Sequence, residues 1–441
     1  MTLGYDTPLE DFLSTLAELG LRRASFHLAD DGRTVVPSHP GLSDLARAIQ
    51  EDGRDFAAHE GIFMEVGRST GLLMTAFVHD TRRGQAQGGL RYWNYPTIGA
   101  LVRDGLRLSR GMTRKNALAG LWWGGGKGIV ARAPGDAHLD PGYRAEVYTD
   151  YAEFVTSLRG CYVTAEDAGT TAADMAIVHA HTRFATCIPP AVGGSGNPSP
   201  ATARGVVCAM EAALAETGRG DLRGKIIAVQ GAGNVAGYMI DLLVERGVER
   251  VVATEIDPHR HAELTARWKD APVELRLVEP NDASILAEPA DLLAPCALGG
   301  VLGPATIPTI RAPIVCGAAN NQLLDEHRDG AALHEHGIVY VPDFVANRMG
   351  IVHCANEQYG YVKDDPAYLR HFDADDPGSI QATTRRVLAL ARDEGISTAE
   401  AADRLADEAA AKLHPIWGHR GRAIIAGLVS DGWAAAAATP S

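Results

Sequence analysis

The sequence predicts an α/β protein with two domains separated by a cleft, an α/β substrate domain and a Rossmann-type dinucleotide-binding domain. Three observations point to this fold. Strands alternate with helices after residue 200, a glycine-rich turn follows one of these strands, and a dense run of glycine, proline and serine at 191–200 marks a boundary. We therefore place the first domain at residues 1–190, rejoined by 396–441, and the second at 191–395.

The first domain is predicted to begin with a helix, a strand and a loop within its first 55 residues. The apolar runs 62–65 and 72–78 flank a glycine-containing turn, which indicates a β-hairpin. Residues 98–121 have apolar side chains at helical spacing, and 143–158 form a second such segment. Between these helices the glycines of 124–128 predict a flexible loop, with room for a small molecule beside Lys127.

The second domain is predicted to alternate regularly between helix and strand. A helix at 201–217 is followed by strand 225–230, helix 234–246 and strand 250–255, and by further strands at 291–297, 313–317 and 338–342. Such alternation predicts a parallel sheet. After it, Ser397 and Glu400 have the spacing of a capping box, which starts a helix running to about residue 413.

The composition is that of a folded chain with an acidic surface. Of 441 residues, 46% are hydrophobic and 22% are charged, and 41 basic against 55 acidic side chains give a net charge of −14. This excludes disorder as the main state and argues against nucleic acid or an anionic membrane as a partner. Residues 1–21 lack the basic start and apolar run of a signal peptide, and no apolar stretch is long enough to span a membrane. We expect a cytoplasmic protein.

The six cysteines are widely spaced and contain no C-x-x-C pair. This pattern predicts reduced thiols, with neither a disulfide framework nor a zinc site. The neighbours His353 and Cys354 have no ligand spacing around them, so we expect no metal.

A dinucleotide site is predicted where strand 225–230 runs into a glycine-rich turn and a helix. The glycines allow a tight turn and close approach of a pyrophosphate, and the helix N-terminus offers amides and partial positive charge. The residues that carry this site are Gly231, Gly233, Asn234 and Val235.

An acidic residue at the end of the next strand completes this pattern. Glu255 lies 22 positions after Gly233, close to the spacing of the acid that accepts the ribose hydroxyls. A carboxylate there repels a 2′-phosphate, so NAD is favoured over NADP. Asp257 is an alternative for the same role.

Three charged residues of the first domain, Lys115, Lys127 and Asp167, have ordinary interpretations when each is taken alone. Lys127 is typical of a solvated loop, Lys115 of a solvated helix face, and Asp167 of a helix N-cap. The segments around them, however, resemble together the glutamate/leucine/phenylalanine/valine dehydrogenase family, and most closely its leucine/phenylalanine/valine branch. The matching stretches are 88–93, 112–128, 164–175, 194–205, 229–235, 317–323, 340–347 and 394–407.

The resemblance implies a role for each of these residues. Lys115 would bind the substrate α-carboxylate, Lys127 would be the general base that activates water, and Asp167 would pass protons to and from the amine. Gly88 and Gly89 would present backbone to the substrate, and Asn347 would face the cleft. The nicotinamide half of NAD would be bound by Thr202, Ala319 and Asn320.

Several residues depart from the family pattern. At the position of Gln87, glutamate enzymes carry Lys, and leucine and phenylalanine enzymes carry an apolar residue. Gln87, at this substrate-binding position, matches neither pattern. Arg348 and Met349 stand where smaller residues are usual, and either reshape the pocket or point away from it. Trp122 and Trp123 replace smaller residues, and packing is the favoured interpretation for them.

These observations predict reversible NAD-dependent oxidative deamination of an L-amino acid with a neutral, medium to large side chain, giving a 2-oxo acid and ammonium. Two alternatives remain. A glutamate dehydrogenase acting on 2-oxoglutarate is disfavoured by Gln87, and a catalytically silent NAD-binding regulator by the retention of both lysines and Asp167. The resemblance also implies a homo-oligomer.

Overall fold

The computed structural model describes residues 3–297, 299–360 and 362–435 and contains two β-sheets, each covered by helices. The first sheet is mixed and is formed entirely before residue 170, and the second is entirely parallel and follows residue 225. The fold is therefore α/β with two domains, as predicted, and its second domain is of Rossmann type.

The first sheet has seven strands in the order β2-β1-β3-β4-β6-β5-β7. Its three last strands are parallel to one another and the others pair antiparallel. The strands are β1 (Arg23–Leu28), β2 (Val35–Pro37), β3 (Gly61–Val66), β4 (Leu73–Val78), β5 (Ala86–Trp93), β6 (Gly124–Ala131) and β7 (Tyr162–Glu166).

The second sheet has six parallel strands in the order β10-β9-β8-β11-β12-β13. Counted from β8, this is the 3-2-1-4-5-6 order of dinucleotide-binding folds, whose ligands bind at the carboxyl ends of the strands where the order reverses. The strands are β8 (Ile226–Gln230), β9 (Arg250–Glu255), β10 (Val273–Leu277), β11 (Leu292–Pro295), β12 (Ile314–Val315) and β13 (Val339–Tyr340).

Fifteen α-helices lie within the described ranges. They are α1 (Leu9–Glu18), α2 (Ser43–Gln50), α3 (Ile98–Leu118), α4 (Pro141–Ser157), α5 (Ala172–His181), α6 (Ser199–Glu216), α7 (Asn234–Glu245), α8 (Pro258–Arg267), α9 (Glu326–Glu335), α10 (Asp343–Ala346), α11 (Met349–Tyr359), α12 (Pro366–Leu369), α13 (Ile380–Glu394), α14 (Thr398–Ala410) and α15 (Arg420–Ser430). None of these helices combines the length and the apolar character needed to cross a membrane.

The chain returns to the first sheet after it has completed the second. Ile425 and Leu428 of α15 are buried in the same apolar core as Phe63 of β3. Arg83 donates a hydrogen bond of 2.9 Å to the carbonyl of Ala409, at the end of α14. Since α14 also buries Ala402 in the core of the second sheet, it contacts both halves of the molecule. The exact domain boundaries stay a prediction.

Most elements form where the sequence patterns place them. The hairpin of β3 and β4, the long helix α3 and five of the six parallel strands of the second sheet are confirmed, whereas β10 was not predicted. Ser397 accepts a hydrogen bond of 3.1 Å from the Glu400 backbone amide, so α14 begins at the predicted cap.

The prediction of a flexible loop at 124–128 is wrong, because these residues form the buried strand β6. The prediction that its glycines leave room for a small molecule is also wrong, since protein atoms fill that space. A Cβ atom at Gly125 would overlap Thr113 of α3, and one at Gly128 would overlap the Tyr151 hydroxyl. The glycines therefore allow helices to pack directly against the strand that carries Lys127.

Candidate active site

Three neighbouring strands bring the predicted catalytic residues together. β5 lies between β6 and β7, with Leu90 opposite Gly128 on one side and Gly89 opposite Ala165 on the other. Lys127 is thus carried by β6, and Asp167 follows the end of β7. The parallel register explains why segments 40 residues apart in the chain meet at one edge of the sheet.

Lys127 and Asp167 form an ion pair, and only 3% of the lysine surface is exposed. Burial lowers the pKa of Lys127, and the Asp167 carboxylate opposes that shift. For Asp167, burial alone would raise the pKa, but Lys127 and Arg91 outweigh it and hold the pKa well below its ordinary range. The Nε of Arg91 lies 3.3 Å from the same carboxylate oxygen, so two cations share one acid.

Lys115 projects from the last turn of α3 and contacts the other half of the molecule. Its Nζ donates to Asn320 Oδ1 at 2.8 Å, and Asn347 Nδ2 donates to the same oxygen at 2.9 Å. Burial lowers the pKa of Lys115, Asp343 opposes this, and Lys127 adds to it. The lysine predicted to bind a carboxylate is therefore buried beside a second lysine.

A cavity of about 230 Å³ connects these groups. Lys115, Lys127, Asp167, Gly89 and Asn347 line it, as the sequence predicts for a substrate site, and so does Thr202, which was assigned to the cofactor. Its wall also contains apolar side chains. These are Leu108, Met112, Phe344 and Ile351, together with Cys187 and Cys354.

A larger cavity of about 690 Å³ adjoins the first and lies at the carboxyl ends of β8 and β11. Asp167 faces both cavities, as do Val235 and Asn320, and Asn234 and Ala319 line the larger one. The position suits the nicotinamide half of a dinucleotide, because it joins the reversal point of the sheet to the buried ion pair.

The residues at the turn after β8 fit a pyrophosphate. Gly231 has a φ of +85°, and a Cβ atom there would lie 2.7 Å from that of Ala297. Gly233 is the N-cap of α7, and a Cβ atom there would meet nothing within 4 Å, so its surface is open. The first amides of α7 have no partner within the helix and are available to an anion.

Glu255 ends β9 and is 7% exposed. Its Oε1 accepts hydrogen bonds from the backbone amides of Ile256 at 2.8 Å and Asp257 at 3.0 Å. Oε2 lies 3.6 Å from the Nε of Arg260, which also donates to the Ala232 carbonyl of the glycine turn. The alternative, Asp257, is the N-cap of α8 and accepts from its amides.

Two of the predicted substrate residues lie behind the cavity wall. The Gln87 side chain is fully buried and donates to Thr186 Oγ1 at 2.9 Å. A Cβ atom at Gly88 would overlap the carbonyl oxygen of Gly126, so this glycine allows strands β5 and β6 to meet. Whether either residue contacts substrate stays a prediction.

The unusual residues Arg348 and Met349 point away from both cavities. Arg348 is completely buried and donates to the carbonyls of Leu118 and Gly378 and to Thr383 Oγ1. Met349 packs in the core of the second sheet. These two substitutions therefore serve packing.

The two tryptophans before β6 also pack against protein. Trp122 packs against His414 with ring centroids 5.5 Å apart and the ring planes tilted by 60°, and the Arg83 guanidinium lies over the Trp122 ring. Trp123 lies in an apolar cluster behind the cavity wall with Cys187 and Ile351. Packing, the favoured interpretation, is therefore what the structure shows.

The prediction of six separate thiols is wrong. Cys187 and Cys354, 167 residues apart, form a disulfide with a Cα–Cα distance of 5.4 Å. Wide spacing in sequence hid the pair because the fold brings a loop of the first domain against α11. The other four cysteines, Cys161, Cys208, Cys296 and Cys316, are free.

Metal-ligating side chains converge at one place in the described ranges, formed by Glu60, Asp80 and His419. Glu60 already accepts hydrogen bonds from Thr81 and from His419, and Asp80 pairs with Arg82. His353, considered in the sequence, contacts the carbonyl of Ser195 through Nε2. The absence of a resident metal stays a prediction.

Sequence reasoning missed three charged residues in this region. Arg91 bridges Asp167 and Asp104, and it follows directly after the Gly88-Gly89 pair, so its place on β5 could have signalled it. Glu166 lines both cavities and burial raises its pKa to about 7. Asp343 faces Lys115 from α10, and no local pattern in the sequence marks it.

Comparison with known proteins agrees with this geometry. A family profile described as Glu/Leu/Phe/Val dehydrogenase, dimerisation domain, matches residues 62–184. A second, described as Glutamate/Leucine/Phenylalanine/Valine dehydrogenase, matches residues 193–257 and 260–413. Together they cover most of the chain.

Individual relatives match this chain over nearly the whole of their own length. A leucine dehydrogenase of Geobacillus stearothermophilus is 41% identical over 351 residues, which are 79% of this chain and 90% of the relative. A valine dehydrogenase of Streptomyces coelicolor is 36% identical over 362 residues, or 82% and 94% of the two chains. The crystal structure of L-tryptophan dehydrogenase from Nostoc punctiforme superposes with a TM-score of 0.61 at 31% identity, covering 80% of this chain and 96% of that one. The chain therefore belongs to the glutamate/leucine/phenylalanine/valine dehydrogenase family of amino acid dehydrogenases.

Proposed function

We propose that the protein catalyses the reversible, NAD-dependent oxidative deamination of an L-amino acid with a neutral, medium to large side chain, giving a 2-oxo acid and ammonium. The observation that carries the proposal is the Lys127–Asp167 ion pair. It lies where the two cavities meet, with Lys115 in the same space. Family membership supports the reaction class.

Lys115 binds the α-carboxylate of the substrate. Its ammonium group is buried, and its partner Asn320 is a neutral amide that an anion can displace. A buried charge interacts strongly with an opposite charge, so this contact fixes the part of the molecule that all amino acids share. The side chain is then left to the apolar wall.

Lys127 acts as the general base. Burial lowers its pKa, which increases the neutral fraction that can accept a proton near neutral pH. A bound nicotinamide would supply the acceptor for the hydride of Cα, and the substrate would then be an iminium. Lys127 then takes a proton from the water that attacks Cα.

Asp167 passes protons between the substrate nitrogen and Lys127. Its carboxylate contacts the lysine directly and also faces the larger cavity, so it reaches both the amine and the base. The low pKa that Lys127 and Arg91 impose keeps Asp167 ionised, so it hands on a proton to Lys127 rather than retaining it. Ammonia leaves from the carbinolamine, and Asp167 returns a proton to it.

NAD is the proposed cofactor because Glu255 ends β9 at the position of the ribose-binding acid. A 2′-phosphate would meet that carboxylate at close range, although Arg260 lies beside it. The contact of Arg260 with Glu255 and with the glycine turn leaves the carboxylate as the group that selects between the two cofactors.

A neutral substrate is proposed because of the chemistry of the wall. Met112, Ile351 and the two cysteines form its apolar part. Behind the wall, Gln87 carries no charge. Arg114 also lines the cavity, but it pairs with Glu326, Asp403 and Asp407. Among the described residues that line this cavity, a glutamate side chain therefore finds no cation apart from the two lysines that the reaction uses and the ion-paired Arg114.

The alternative of a silent regulator is disfavoured by the same geometry, since both lysines and Asp167 line the smaller cavity and Asp167 also lines the larger one. We also propose that the protein is a cytoplasmic homo-oligomer. The description of the profile matching residues 62–184 as a dimerisation domain supports the association of copies.

The test is a steady-state assay of the purified protein with a panel of L-amino acids, using NAD and NADP separately and following nicotinamide absorbance. We expect the highest kcat/KM for neutral side chains with NAD. The reverse assay with 2-oxo acids and ammonium should show the same order. A preference for glutamate and 2-oxoglutarate would support the rival enzyme, and no turnover with any pair would support the regulator.

A further inference from the structure

The disulfide between Cys187 and Cys354 lies in the wall of the cavity that holds Lys115 and Lys127. Both cysteines line that cavity and are almost fully buried, at 1% and 3% exposed. Neither is required by the chemistry proposed above. The pair is therefore a reactive feature of the site without an assigned role.

The bond joins the two halves of the molecule. Cys187 follows Thr186, whose amide donates to the Thr164 carbonyl of β7 at 2.9 Å, so it belongs to the edge of the first sheet. Cys354 lies within α11, which begins with Met349 in the core of the second sheet. A covalent link between them crosses the cleft at the end of the substrate cavity.

The surroundings of the bond are apolar and come from both sides. Trp123 and Ala165 pack from the first domain, and Ile351 and Ala355 from α11. Next to it, Glu357 of α11 accepts hydrogen bonds from the backbone amides of Ile188 and Ser195. These noncovalent contacts bring the two sulfur atoms together each time the cleft closes, so a broken bond can re-form in the closed state.

We infer that Cys187 and Cys354 form a reversible oxidation site that locks the cleft of this enzyme, an inference that rests on the proposed function. With the disulfide intact, α11 is held to the first sheet and the cleft is held closed. With two thiols, the halves can separate to admit substrate and release product, a motion that limits turnover in many two-domain enzymes. Oxidation therefore lowers kcat.

The chemistry balances with one small co-reactant. Two thiols give two protons and two electrons to a small-molecule disulfide, R–S–S–R, which leaves as two R–SH molecules through a mixed disulfide. Reduction by a dithiol reverses this, and the dithiol leaves as its cyclic disulfide. In a reducing compartment the pair rests as thiols and closes under oxidising conditions.

The first measurement determines whether Cys187 and Cys354 are oxidised or reduced. The protein is treated with oxidised glutathione or with dithiothreitol, alkylated in denaturant and weighed by mass spectrometry. We expect four alkylated cysteines after oxidation and six after reduction, from six in the chain and four free in the structure. Six alkylated cysteines under both treatments would overturn the inference.

Activity is then compared between the two states. We expect the reduced protein to have at least a fivefold higher kcat than the oxidised protein. Cys187→Ala and Cys354→Ala should each give the same rate after both treatments, whatever that rate is. Cys208→Ser, a buried free cysteine of α6 outside the site, should keep the full response. Equal rates of the oxidised and reduced wild type would contradict the lock.

Hydrogen exchange of α11 separates failure of this inference from failure of the proposed function. We expect slower exchange of its backbone amides in the oxidised protein, and no difference between treatments in Cys187→Ala. If no amino acid is turned over in either state, the proposed function fails and exchange alone decides: a difference confined to α11 and the cleft supports the lock, and identical exchange overturns it.

Discussion

The Nζ atom of Lys115 lies 2.8 Å from Oδ1 of Asn320, and this contact joins the end of α3 to the loop after β12. Asn347 donates to the same oxygen, so a short chain of polar groups spans the cleft. A substrate carboxylate that takes the place of the Asn320 oxygen would neutralise Lys115 and release the amide toward the nicotinamide cavity. In the proposed function, carboxylate binding and cofactor placement would thus be connected through the Asn320 side chain.

Replacing Lys115 by alanine should lower kcat/KM for the preferred amino acid about 100-fold. The change removes one charge-assisted hydrogen bond to the carboxylate, which contributes about 3 kcal/mol in a buried site. Steady-state kinetics would measure it. Lys269→Ala, a lysine exposed on the second domain, is the matched control and should behave as wild type. An unchanged KM and kcat in Lys115→Ala would remove this residue from the site.

Replacing Lys127 by methionine should lower kcat by about 10³-fold while NADH still binds. Methionine keeps the length of the buried side chain and removes the base, and general base catalysis contributes about 10²–10⁴-fold. Quenching of NADH fluorescence would report binding independently of turnover. A rate near that of wild type would assign the base to another group.

Replacing Glu255 by alanine should lower the ratio of kcat/KM for NAD to that for NADP at least tenfold. The carboxylate that repels a 2′-phosphate is lost, and Arg260 is left free to attract one. Kinetics with each cofactor at saturating amino acid would measure the ratio. Asp257→Ala is the comparison variant, and a larger effect there would transfer the role to Asp257.

The two lysines show what the sequence could reveal about the site and what it could not. Motif resemblance named Lys115, Lys127 and Asp167, and the structure brings all three to one cavity. The predicted environment of Lys127 was wrong, however. The glycines around it suggested a loop, but these residues form a buried strand. A run of glycines shows only that the side chains there are small. The residues packed around the run in the fold decide whether solvent or a helix fills the space.

Long-range pairs were the main omission. Cys187 with Cys354, and Lys115 with Asp343, join segments more than 160 residues apart, and nothing local in either segment marks its partner. Five strands of the second sheet were predictable because each is an apolar run, whereas β10 alternates apolar and charged residues and was missed. The strand order of the first sheet was not predictable, since it depends on which edges pair.

Replacing Glu166 by glutamine should flatten the pH dependence of stability between about pH 4.5 and 7. Burial raises the pKa of Glu166 to about 7, so in that range the folded protein binds more protons than the unfolded chain. Stability from this group is therefore highest at the acidic side and falls as pH rises. Thermal midpoints of the variant should fall less over this range than those of wild type. Glu153→Gln, an exposed residue of α4, should follow wild type.

Replacing Arg348 by alanine should lower the free energy of unfolding by about 3 kcal/mol. Three acceptors lose their donor, the buried hydroxyl of Thr383 and the partly buried carbonyls of Leu118 and Gly378, at a cost of about 1 kcal/mol each. Urea denaturation would measure the loss. Arg386→Ala, exposed on the neighbouring helix α13, should change stability by less than about 0.5 kcal/mol. Equal stability of the two variants would show that water replaces the guanidinium.

The return of α15 to the first sheet has a consequence for synthesis of the protein. Ile425 and Leu428 belong to the core beneath strands that leave the ribosome more than 250 residues earlier. While the nucleotide-binding half is still being translated, the first half therefore exposes the apolar surface that α15 later covers. Nascent chains stalled before residue 420 should be targets for chaperones that recognise exposed apolar surface.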